Sequence, residues 1–433
     1  MKEVKLQKYP AYKDSGGEWL GKIPEHWELT RLGQKFVERR TKVSDKDYAP
    51  LSVTKNGILP QLDNAAKSND GDNRKLVKEG DFVINSRSDR KGSSGIALID
   101  GSVSLINIVM EPKGINPTYT NYLLKSTAFV EEFYRMGHGI VADLWTTRYD
   151  EMKSIMVGIP PIEEQTAIAN FLDNKTAQIE SAIAIKQKQI ELLKERRQIL
   201  IHRAVTRGIG SLSGAETPDV KLKDSGVEWI GEIPEHWEVC ALSYLAKIDT
   251  GSTPDRSRPT YWNGTIPWVK TGEVKYDLIT ETEEYITENG LKNSATRLAP
   301  KGTILMAMYG QGVTRGRVAI LGIEATYNQA CCAILFNERI NNIYGYYFFI
   351  AAYPNVRDAG NETSQMNLSS GYISKLKIPI PPLVEQIRIA EYLESISTKI
   401  SAAISLKEKE IEKLKEYKSV LINEAVSGKI KVN

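Results

Sequence analysis

The sequence predicts an α+β protein with two globular domains and two long antiparallel helices, related by an internal repeat. Three observations support this fold class. Two segments recur at fixed offsets, a near-heptad apolar seam follows each copy of the second segment, and short strand-like runs fill the rest of the 433 residues. We call the repeated segments with their long helices the frame. Because one chain holds two copies of this frame, the repeat implies a pseudo-twofold arrangement.

The first repeated segment is residues 12–29, YKDSGGEWLGKIPEHWEL, which returns as LKDSGVEWIGEIPEHWEV at residues 222–239. Thirteen of the 18 positions are identical, at a constant offset of 210. His26 and His236 occupy the same place in the two copies. Their repetition favours a structural role in the frame over catalysis.

Two inserts of unlike sequence, roughly residues 30–158 and 240–378, lie between the repeated segments. Short β-rich runs punctuated by Gly, Asn and Asp turns predict strands, and two other stretches predict helices. The predicted strands are residues 81–85, 96–99, 102–110, 303–308, 317–321 and 330–336, and the predicted helices are residues 119–135 and 342–352. Each insert should be a compact α+β domain of about 130 to 140 residues, a common domain size.

The second repeated segment begins as IPPIEEQ at Ile159 and as IPPLVEQ at Ile380, an offset of 221. Each Pro-Pro pair predicts the start of a long helix, in which apolar residues recur in steps of three, four and seven. The first seam is Ile168, Leu172, Ile179, Ile183, Ile190, Leu193, Leu200 and Ala204, and the second is Ile389, Leu393, Ile396, Ile400, Ile404, Ile411, Leu414, Leu421 and Ala425. Helices this long with one narrow seam have no globular core of their own, so we expect them to pack together as a coiled coil.

These patterns predict five segments in the chain. Residues 1–158 hold the first repeated segment and insert, 159–207 the first long helix, 208–221 a linker, 222–378 the second repeated segment and insert, and 379–433 the second helix with a tail. The linker, which includes GIGSLSGAETPDV, is rich in Gly and Ser and joins the two units.

Composition excludes several classes of protein. No apolar run approaches the roughly 20 residues that a membrane helix needs, and the N-terminal MKEVKLQKYP lacks a signal-peptide core. Cys240, Cys331 and Cys332 cannot form a disulfide framework, and no Cys-x-x-Cys or paired His spacing indicates zinc. We therefore expect a cytoplasmic protein. The net charge of +3 neither requires nor excludes a polyanionic partner.

Two glycine-rich loops carry side chains suited to reading DNA. The first, residues 85–95, contains Arg87, Arg90 and Lys91, and the second, residues 308–317, contains Tyr309, Gln311, Arg315 and Arg317. Arginine pairs with guanine edges and phosphates, and glutamine can be bidentate to adenine. Either loop alone could be a solvated hairpin, but their similar place in the two inserts favours one half-site for each.

A third candidate surface lies in the second insert, in DRSRPTYWNGTIPWVKTGEV at residues 255–274. This stretch interleaves the cations Arg256, Arg258 and Lys270 with the aromatics Tyr261, Trp262 and Trp268. We include the three cations among the candidate DNA contacts. The aromatics can equally belong to the hydrophobic core, as Trp19 and Trp27 are expected to.

Motifs of enzymes are scarce in this sequence. It contains neither a G-x-x-x-x-G-K-[ST] loop nor a G-x-G-x-x-G turn between a strand and a helix. Asp255, Glu273 and Lys275 imitate the PD…ExK pattern in which carboxylates hold magnesium beside a lysine. Because that stretch is rich in turns and the first insert has no counterpart, a nuclease is a remote alternative. We expect no catalytic and no metal-binding residue in this chain.

Together these features resemble the specificity (S) subunit of a type I restriction-modification system. The resemblance rests on KDSGGEWLGKIPEHWE and its repeat, on YWNGTIPWVKTGEV, and on the two helix starts IPPIEEQ and IPPLVEQ with the long helices after them. It covers nearly the whole chain. The first insert departs from the pattern, since it lacks the YW-x-G-x-IPW motif.

The resemblance implies two target-recognition domains, each reading one half of a bipartite target in double-stranded DNA. It implies helices that set the spacer and dock two methyltransferase subunits, which use S-adenosylmethionine, and further partners, restriction subunits, which use ATP and Mg. It assigns this chain no cofactor of its own. The alternative from another class is a coiled-coil assembly scaffold whose inserts bind proteins. The target sequence depends on loop geometry, which one sequence does not fix.

Overall fold

The computed structural model describes residues 7–61, 71–139, 145–212, 221–310, 313–358 and 367–432. The chain divides into two compact units, one of Met1–Gln187 with Glu408–Asn433 and one of Lys188–Lys407. Both long helices contribute a part to each unit, so the units do not follow the five segments expected from the sequence. Within the described ranges, no helix has the length and apolar character needed to cross a membrane.

The first unit is built on a four-stranded antiparallel sheet. Its strands are β1 (Tyr12–Asp14), β2 (Lys22–Pro24), β3 (Glu28–Arg31), β4 (Phe36–Glu38), β5 (Lys42–Val43), β6 (Leu51–Thr54), β7 (Gly57–Pro60), β8 (Arg74–Val77), β9 (Phe82–Asn85), β10 (Ser94–Ile96), β11 (Gly101–Val103), β12 (Asn107–Pro112) and β13 (Met156–Ile159). Its helices are α1 (Leu32–Lys35), α2 (Pro117–Lys125), α3 (Thr127–Arg135), α4 (Tyr149–Met152), the first part of α5 (Ile162–Arg207) and the last part of the second long helix, from Glu408 to Val426. The main sheet has the order β10-β9-β12-β4, and a smaller sheet has the order β11-β8-β5.

The second unit is built on a five-stranded sheet. Its strands are β14 (Leu222–Asp224), β15 (Glu232–Pro234), β16 (Glu238–Ala241), β17 (Ala246–Thr250), β18 (Trp262–Val269), β19 (Leu278–Ile279), β20 (Glu284–Ile286), β21 (Ile304–Ala307), β22 (Val318–Leu321), β23 (Thr326–Tyr327), β24 (Cys331–Phe336) and β25 (Lys377–Ile380). Its helices are α6 (Glu288–Lys292), α7 (Asn342–Asp358), α8 (Ser370–Lys375), the last part of α5 and the first part of α9 (Leu383–Val426). The main sheet has the order β17-β24-β21-β22-β19, and a smaller sheet has the order β20-β18-β23.

The two inserts share a sheet plan that their sequences do not reveal. The order β10-β9-β12-β4 in the first matches β22-β21-β24-β17 in the second, and every pair in both sets is antiparallel. The central strands β9 and β21 are buried on both faces, so their side chains alternate between two apolar clusters. Both inserts are therefore α+β domains, as predicted.

Four predicted elements differ clearly from the structure, and one of them, the helix predicted at residues 342–352, extends to Asp358. The run 102–110 is two strands, because the chain turns at residues 104–106, where the Asn107 amide donates to the Ser104 carbonyl at 3.0 Å. The stretch 119–135 is two helices, because Ser126 ends α2 and its hydroxyl accepts from the Phe129 amide as the N-cap of α3. The strand expected at residues 96–99 lies at Ser94–Ile96.

The predicted long helices are present, with 46 residues in α5 and 44 in α9. Most members of their apolar seams are buried, including Ile168, Leu172, Ile179, Ile190 and Ala204 on α5 and Ile389, Leu393, Ile400, Ile411 and Leu421 on α9. In the first unit Glu180 pairs with Lys418, and Lys186 pairs with Glu410 at 2.6 Å. Because the residue numbers of the α9 partners fall as those of the α5 residues rise, the two helix segments run antiparallel there.

The repeated Trp and His residues hold the start of each long helix. In the first unit the Trp27 indole donates to Glu164 Oε1 at 3.1 Å, and His26 Nε2 lies 2.8 Å from Glu164 Oε2. In the second unit Trp237 and His236 each lie 3.1 Å from Glu385 Oε2 in the same way. The histidines therefore have the structural role that their repetition predicted.

Each long helix ends at a glycine that no other residue could replace without strain. Gly208 follows α5 with a φ of 77°, and Gly428 follows α9 with a φ of 72°. A Cβ atom on Gly428 would also collide with the ring of Pro24. After Gly208 the chain forms a 3-10 turn at Ile209–Leu212, and residues 213–220 of the predicted linker lie outside the described residues.

Candidate nucleic-acid interface

Three segments meet at one end of the main sheet in the first unit. They are the loop 86–93 between β9 and β10, the turn 104–106 before β12, and the segment 145–148 before α4. The Ser86 amide donates to the Ile106 carbonyl at 3.3 Å, and the Thr147 amide donates to the Ser86 carbonyl at 3.0 Å. We call this region, formed by residues 86–93, 104–106 and 145–148, the first sheet end.

The second unit has the same construction at the equivalent place. The Met308 amide donates to the Ala330 carbonyl at 2.8 Å, and the Leu368 amide donates to the Met308 carbonyl at 3.1 Å. We call the loop 308–317, the turn 328–330 and residues 367–369 the second sheet end. The two glycine-rich loops chosen from the sequence thus occupy equivalent positions, each as the hairpin connection after a buried central strand.

The loop of the first sheet end presents two of its three predicted cations to solvent. Arg87 and Arg90 are exposed, and Arg90 lies 3.7 Å from Asp89 on the same turn. Lys91 is held against the domain, because its ammonium pairs with Glu131 of α3 at 2.5 Å and lies 5.9 Å from the centre of the Tyr134 ring. Arg87 and Arg90 are therefore the better placed of the three to bind a phosphate or a base.

Four further cations lie beside Arg87, and none of them belongs to the loops predicted to bind DNA. A cleft of about 370 Å³ is lined by Arg87, Lys75 and Arg148, and a neighbouring cleft of about 350 Å³ adds Arg40 and Lys42. Of the described carboxylates, Glu38 and Asp150 line these clefts, and Glu151 accepts from the Arg148 amide at 2.8 Å. Arg40 and Lys75 share Glu38, at 2.6 and 3.2 Å, and Asp150 pairs with Lys153 at 2.6 Å. The clefts therefore keep an excess of positive charge.

These cations come from the segment between β4 and β5, from β5, from β8 and from the N-cap of α4, so folding rather than sequence brings them together. The signal that could have found some of them is the basic run in ERRTK at residues 38–42. Arg148 has no such signal, because it is an isolated cation in its stretch of sequence, whereas Lys75 directly follows Arg74.

The loop of the second sheet end is less basic at its tip than the sequence suggests. Tyr309 is exposed, while Gln311 lies outside the described residues. Arg315 is only 8 % exposed, and its guanidinium donates to the Arg357 carbonyl at the end of α7. Arg317 lies 5.8 Å from the centre of the Tyr276 ring. Both arginines thus contact the body of the domain. DNA contact by Arg315 and Arg317 stays a prediction.

The aromatic stretch of the second insert uses its cations mainly to bind its own aromatic rings. The Arg256 guanidinium lies 3.8 Å from the centre of the Trp262 ring and pairs with Glu284. Arg258 donates to the Tyr261 hydroxyl at 3.0 Å, but most of its side chain is exposed. Trp268 is buried, whereas Trp262 is only partly so. Among these cations, Arg258 is the most accessible to a ligand.

Polar bonds connect this aromatic stretch to the second sheet end. Gln329 of the turn 328–330 accepts from the Thr253 hydroxyl, and Asn328 accepts from the Thr271 hydroxyl at 3.0 Å. Lys270 pairs with Glu283 at 2.6 Å and with Glu284 at 3.1 Å, and the hydrogen bond to Glu283 is the main reason why its pKa is raised. A lysine with two carboxylate partners is a weaker candidate for a phosphate than Arg258.

The residues of the PD…ExK pattern serve separate local turns. Asp255 accepts from the Ser257 hydroxyl and amide at 2.7 and 2.9 Å, and these hydrogen bonds lower the pKa of its carboxyl. Glu273 accepts from the Lys270 amide at 2.6 Å and from the Glu283 amide at 2.9 Å. Within the described parts of the chain, no group of three or more His, Cys, Asp or Glu side chains is placed to hold a metal ion.

Comparisons with known proteins agree on one family. A sequence model described as the type I restriction modification DNA specificity domain matches residues 234–416. The putative type I restriction enzyme MjaX specificity subunit of Methanocaldococcus jannaschii is 23 % identical over 95 % of this chain and 96 % of its own length. The EcoR124I/EcoR124II specificity subunit of Escherichia coli is 25 % identical over 63 % of each chain.

Two solved structures share the fold. A chain from a structure on complex assembly and conformational transition of the type I R-M system superposes with a TM-score of 0.71, at 14 % identity over 93 % of this chain and 98 % of that one. The HsdS subunit from Thermoanaerobacter tengcongensis superposes with a TM-score of 0.56, at 16 % identity over 94 % and 98 % of the two chains.

Proposed function

Because this chain belongs to the specificity subunits of type I restriction-modification systems, we propose that its two sheet ends each read one half of a bipartite DNA target. Specificity subunits are non-catalytic, and the catalytic activities of the complex lie in partner subunits. The DNA is double-stranded, and the half-sites are read separately, since each unit has its own sheet, core and loops.

One observation carries this proposal. The two sheet ends have the same backbone hydrogen bonds but unlike side chains, with Arg87 and Ile106 in the first where Tyr309 and Ala330 stand in the second. A shared scaffold with different surface chemistry is what an asymmetric bipartite target requires, because base reading depends on side chains at the groove while the scaffold only positions them. Two protein-binding modules of a scaffold would not require cations at the first sheet end.

We propose further that α5 and α9 form an antiparallel coiled coil that fixes the spacer between the half-sites. Their buried seams and the cross-helix pair Lys186–Glu410 support this function. A second stripe on α5 supports the docking of partner helices. Ile185, Leu192 and Ile199 recur every seven residues and are each about half exposed, outside the buried seam. Two methyltransferase subunits are the proposed occupants of such outer faces.

The proposed partners supply the chemistry of the complex. The methyltransferase subunits would use S-adenosylmethionine, and restriction subunits would use ATP and Mg. We assign none of these to residues of this chain, whose carboxylates Asp255 and Glu273 have local partners. The complex would act in the cytoplasm, where the DNA of a prokaryotic host lies.

Binding of duplex DNA by the full chain, assembled with its methyltransferase subunits, tests the proposed function. The affinity for duplex should fall as salt rises, because neutralising phosphates releases counterions. The double variant Arg87→Ala, Arg148→Ala should weaken binding and reduce that salt dependence. If the complex assembles but duplex binding is absent, or does not respond to salt, the scaffold alternative is favoured instead.

A further inference from the structure

We propose that Leu105 and Ile106, in the turn 104–106 of the first sheet end, bind thymine methyl groups in the major groove of the first half-site. This inference rests on the proposed function and adds a specificity-determining element to it. The two side chains lie on the turn between β11 and β12. Neither was among the residues that the sequence singled out.

Both side chains of this pair reach solvent from a turn between buried strands. Leu105 is 40 % exposed and Ile106 is 38 % exposed, although Val103 and Ile108 on either side of the turn are buried. Two adjacent aliphatic side chains thus project from a turn whose flanking strands are in the core. Exposed apolar residues need no explanation in themselves, and Leu98 and Ile99 form a more exposed pair in the same unit. Leu105 and Ile106 differ from that pair because they line the basic cleft.

The charge around the pair identifies the kind of partner. Leu105 and Ile106 line the same cleft as Lys75, Arg87 and Arg148. Projecting apolar side chains bordered by cations match the major groove of a duplex, which is bordered by phosphates and presents the C5-methyl group of thymine on its base edges. Aliphatic side chains can recognise that methyl group, whereas they offer nothing to the hydrogen-bonding edges of the other bases.

The turn is held firmly enough to present the pair in one position. The Asn107 amide and side-chain nitrogen both donate to the Ser104 carbonyl, at 3.0 and 3.1 Å. Lys75 Nζ donates to the Asn107 carbonyl at 2.9 Å, and the Ser86 amide donates to the Ile106 carbonyl. The turn is therefore tied to β8 and to the loop that carries Arg87. A rigid surface loses less conformational entropy when it binds.

The equivalent turn of the second unit has different chemistry. Gln329 and Ala330 stand where Leu105 and Ile106 stand in the first unit, as the matching bonds from Met308 and Ser86 show. Gln329 is exposed but polar, and it accepts from the Thr253 hydroxyl. A position that keeps its backbone bonds while its side chains change is expected of a residue that sets specificity. Thymine methyl recognition at this turn should therefore be confined to the first half-site.

The test compares duplexes that contain thymine with duplexes in which deoxyuridine replaces thymine in one half-site, which removes only the methyl group. The half-sites are first obtained by sequencing the methylated positions in the host genome. The full chain assembled with its methyltransferase subunits should bind about four-fold more weakly for each contacted methyl that is lost. The double variant Leu105→Ser, Ile106→Ser should bind both duplexes with equal affinity.

Two matched controls separate this effect from general damage. Leu98→Ser removes a side chain that is 75 % exposed in the same unit but does not line the cleft, so it should keep the preference for thymine. Arg148→Ala should weaken binding to both duplexes alike. Replacing thymine in the other half-site should give the same ratio in the wild type and in the double variant.

Three results would overturn the inference while leaving the proposed function intact. They are a first half-site without thymine, equal binding of both duplexes by the wild type, and a thymine preference that survives in the double variant. Failure of the assembled complex to bind any duplex would instead contradict the proposed function itself.

Discussion

Single residues at the first sheet end differ in how free they are to bind DNA, and Arg87 is the most informative of them. It is exposed, lines the basic cleft and lies two residues after the buried strand β9. Arg87→Ala should cost about 1 to 3 kcal/mol of discrimination if the guanidinium binds a base edge, and should weaken all sequences alike if it binds a phosphate. Affinities for single-base variants of the first half-site measure this. Equal discrimination and unchanged affinity would exclude both roles.

Arg315 provides a structural contrast to Arg87. It is buried and donates to the Arg357 carbonyl, so the sequence alone, which shows two arginines in two glycine-rich loops, could not separate their roles. Sequence alone also does not identify Lys42, Lys75 and Arg148 as neighbours of Arg87. They are distant from it along the chain and come close only when the sheet forms. Residue types in a loop can be predicted from sequence, whereas their exposure and neighbours depend on packing.

Glu164 is the residue on which the frame of the first unit depends. It accepts from Trp27 and Tyr9 and lies beside His26. Glu164→Ala should lower the free energy of unfolding by about 1 to 3 kcal/mol, because the buried Trp27 indole would lose its acceptor. Thermal unfolding measures this. The adjacent, exposed Glu163→Ala should change the stability by less than about 0.5 kcal/mol, and an equal loss in both variants would contradict the assignment.

Among the elements, the long helices were the easiest to predict and the strands the hardest to delimit. An apolar seam that repeats over 46 residues is compatible only with a long helix. A short run such as 102–110 does not show that a hydrogen bond between Asn107 and Ser104 forms a turn within it. The shared sheet order of the two inserts was not predictable either. The sheet order depends on which side chains are buried, and different sets of apolar residues can fill the same buried positions equally well.

The half-exposed stripe of α5 gives a prediction for partner binding. Leu192→Lys with Ile199→Lys should weaken assembly with the methyltransferase subunits but leave the thermal stability of the chain nearly unchanged, because both side chains already contact water. Ile190→Lys is the control, since Ile190 is buried in the seam and its replacement should unfold the helix pair. Size-exclusion chromatography measures the assembly. Normal assembly of the double variant would contradict the docking role.

The helices should also act as a ruler for the DNA target. Four residues added after Gln187 in α5, matched by four after Lys407 in α9, would lengthen each helix by about 6 Å and rotate the part beyond the insertion by about 40°. Since 6 Å is nearly two base pairs of B-DNA, the spacer should grow by one or two base pairs while both half-sites stay unchanged. An insertion in one helix alone should mainly destabilise the protein.

The methylated motif of a host that carries the doubly extended chain measures the ruler. The control is the unextended chain in the same host, which reports the original spacer. Full activity with an unchanged spacer would show that α5 and α9 do not set the distance between the half-sites.

For the whole molecule, the strand pairs β3–β13 and β16–β25 define where one insert could be exchanged for another. Each pair closes an insert with four residue partners, from Glu28 with Ile159 to Arg31 with Met156 in the first unit. These pairs, with the Trp27 and Trp237 contacts beyond them, connect each insert to the repeated segments and long helices. In the first unit an exchanged insert must also keep the bonds of α2 and α3 to the long helices, such as that of Tyr122 to Asp173. The sequence gives only approximate limits for the inserts. The structure places these limits within the two hydrogen-bonded strand pairs.

Exchange of the first insert, from Arg31 to Met156, for that of another specificity subunit should change one half-site only. The other unit has its own sheet, core and sheet end, so its recognition surface is untouched. The spacer should also stay the same, because α5 and α9 are not altered. Sequencing of the methylated motif measures the outcome, and the reciprocal exchange of the second insert is the control, which should change the other half. A motif altered in both halves by one exchange would show that the units do not read DNA independently.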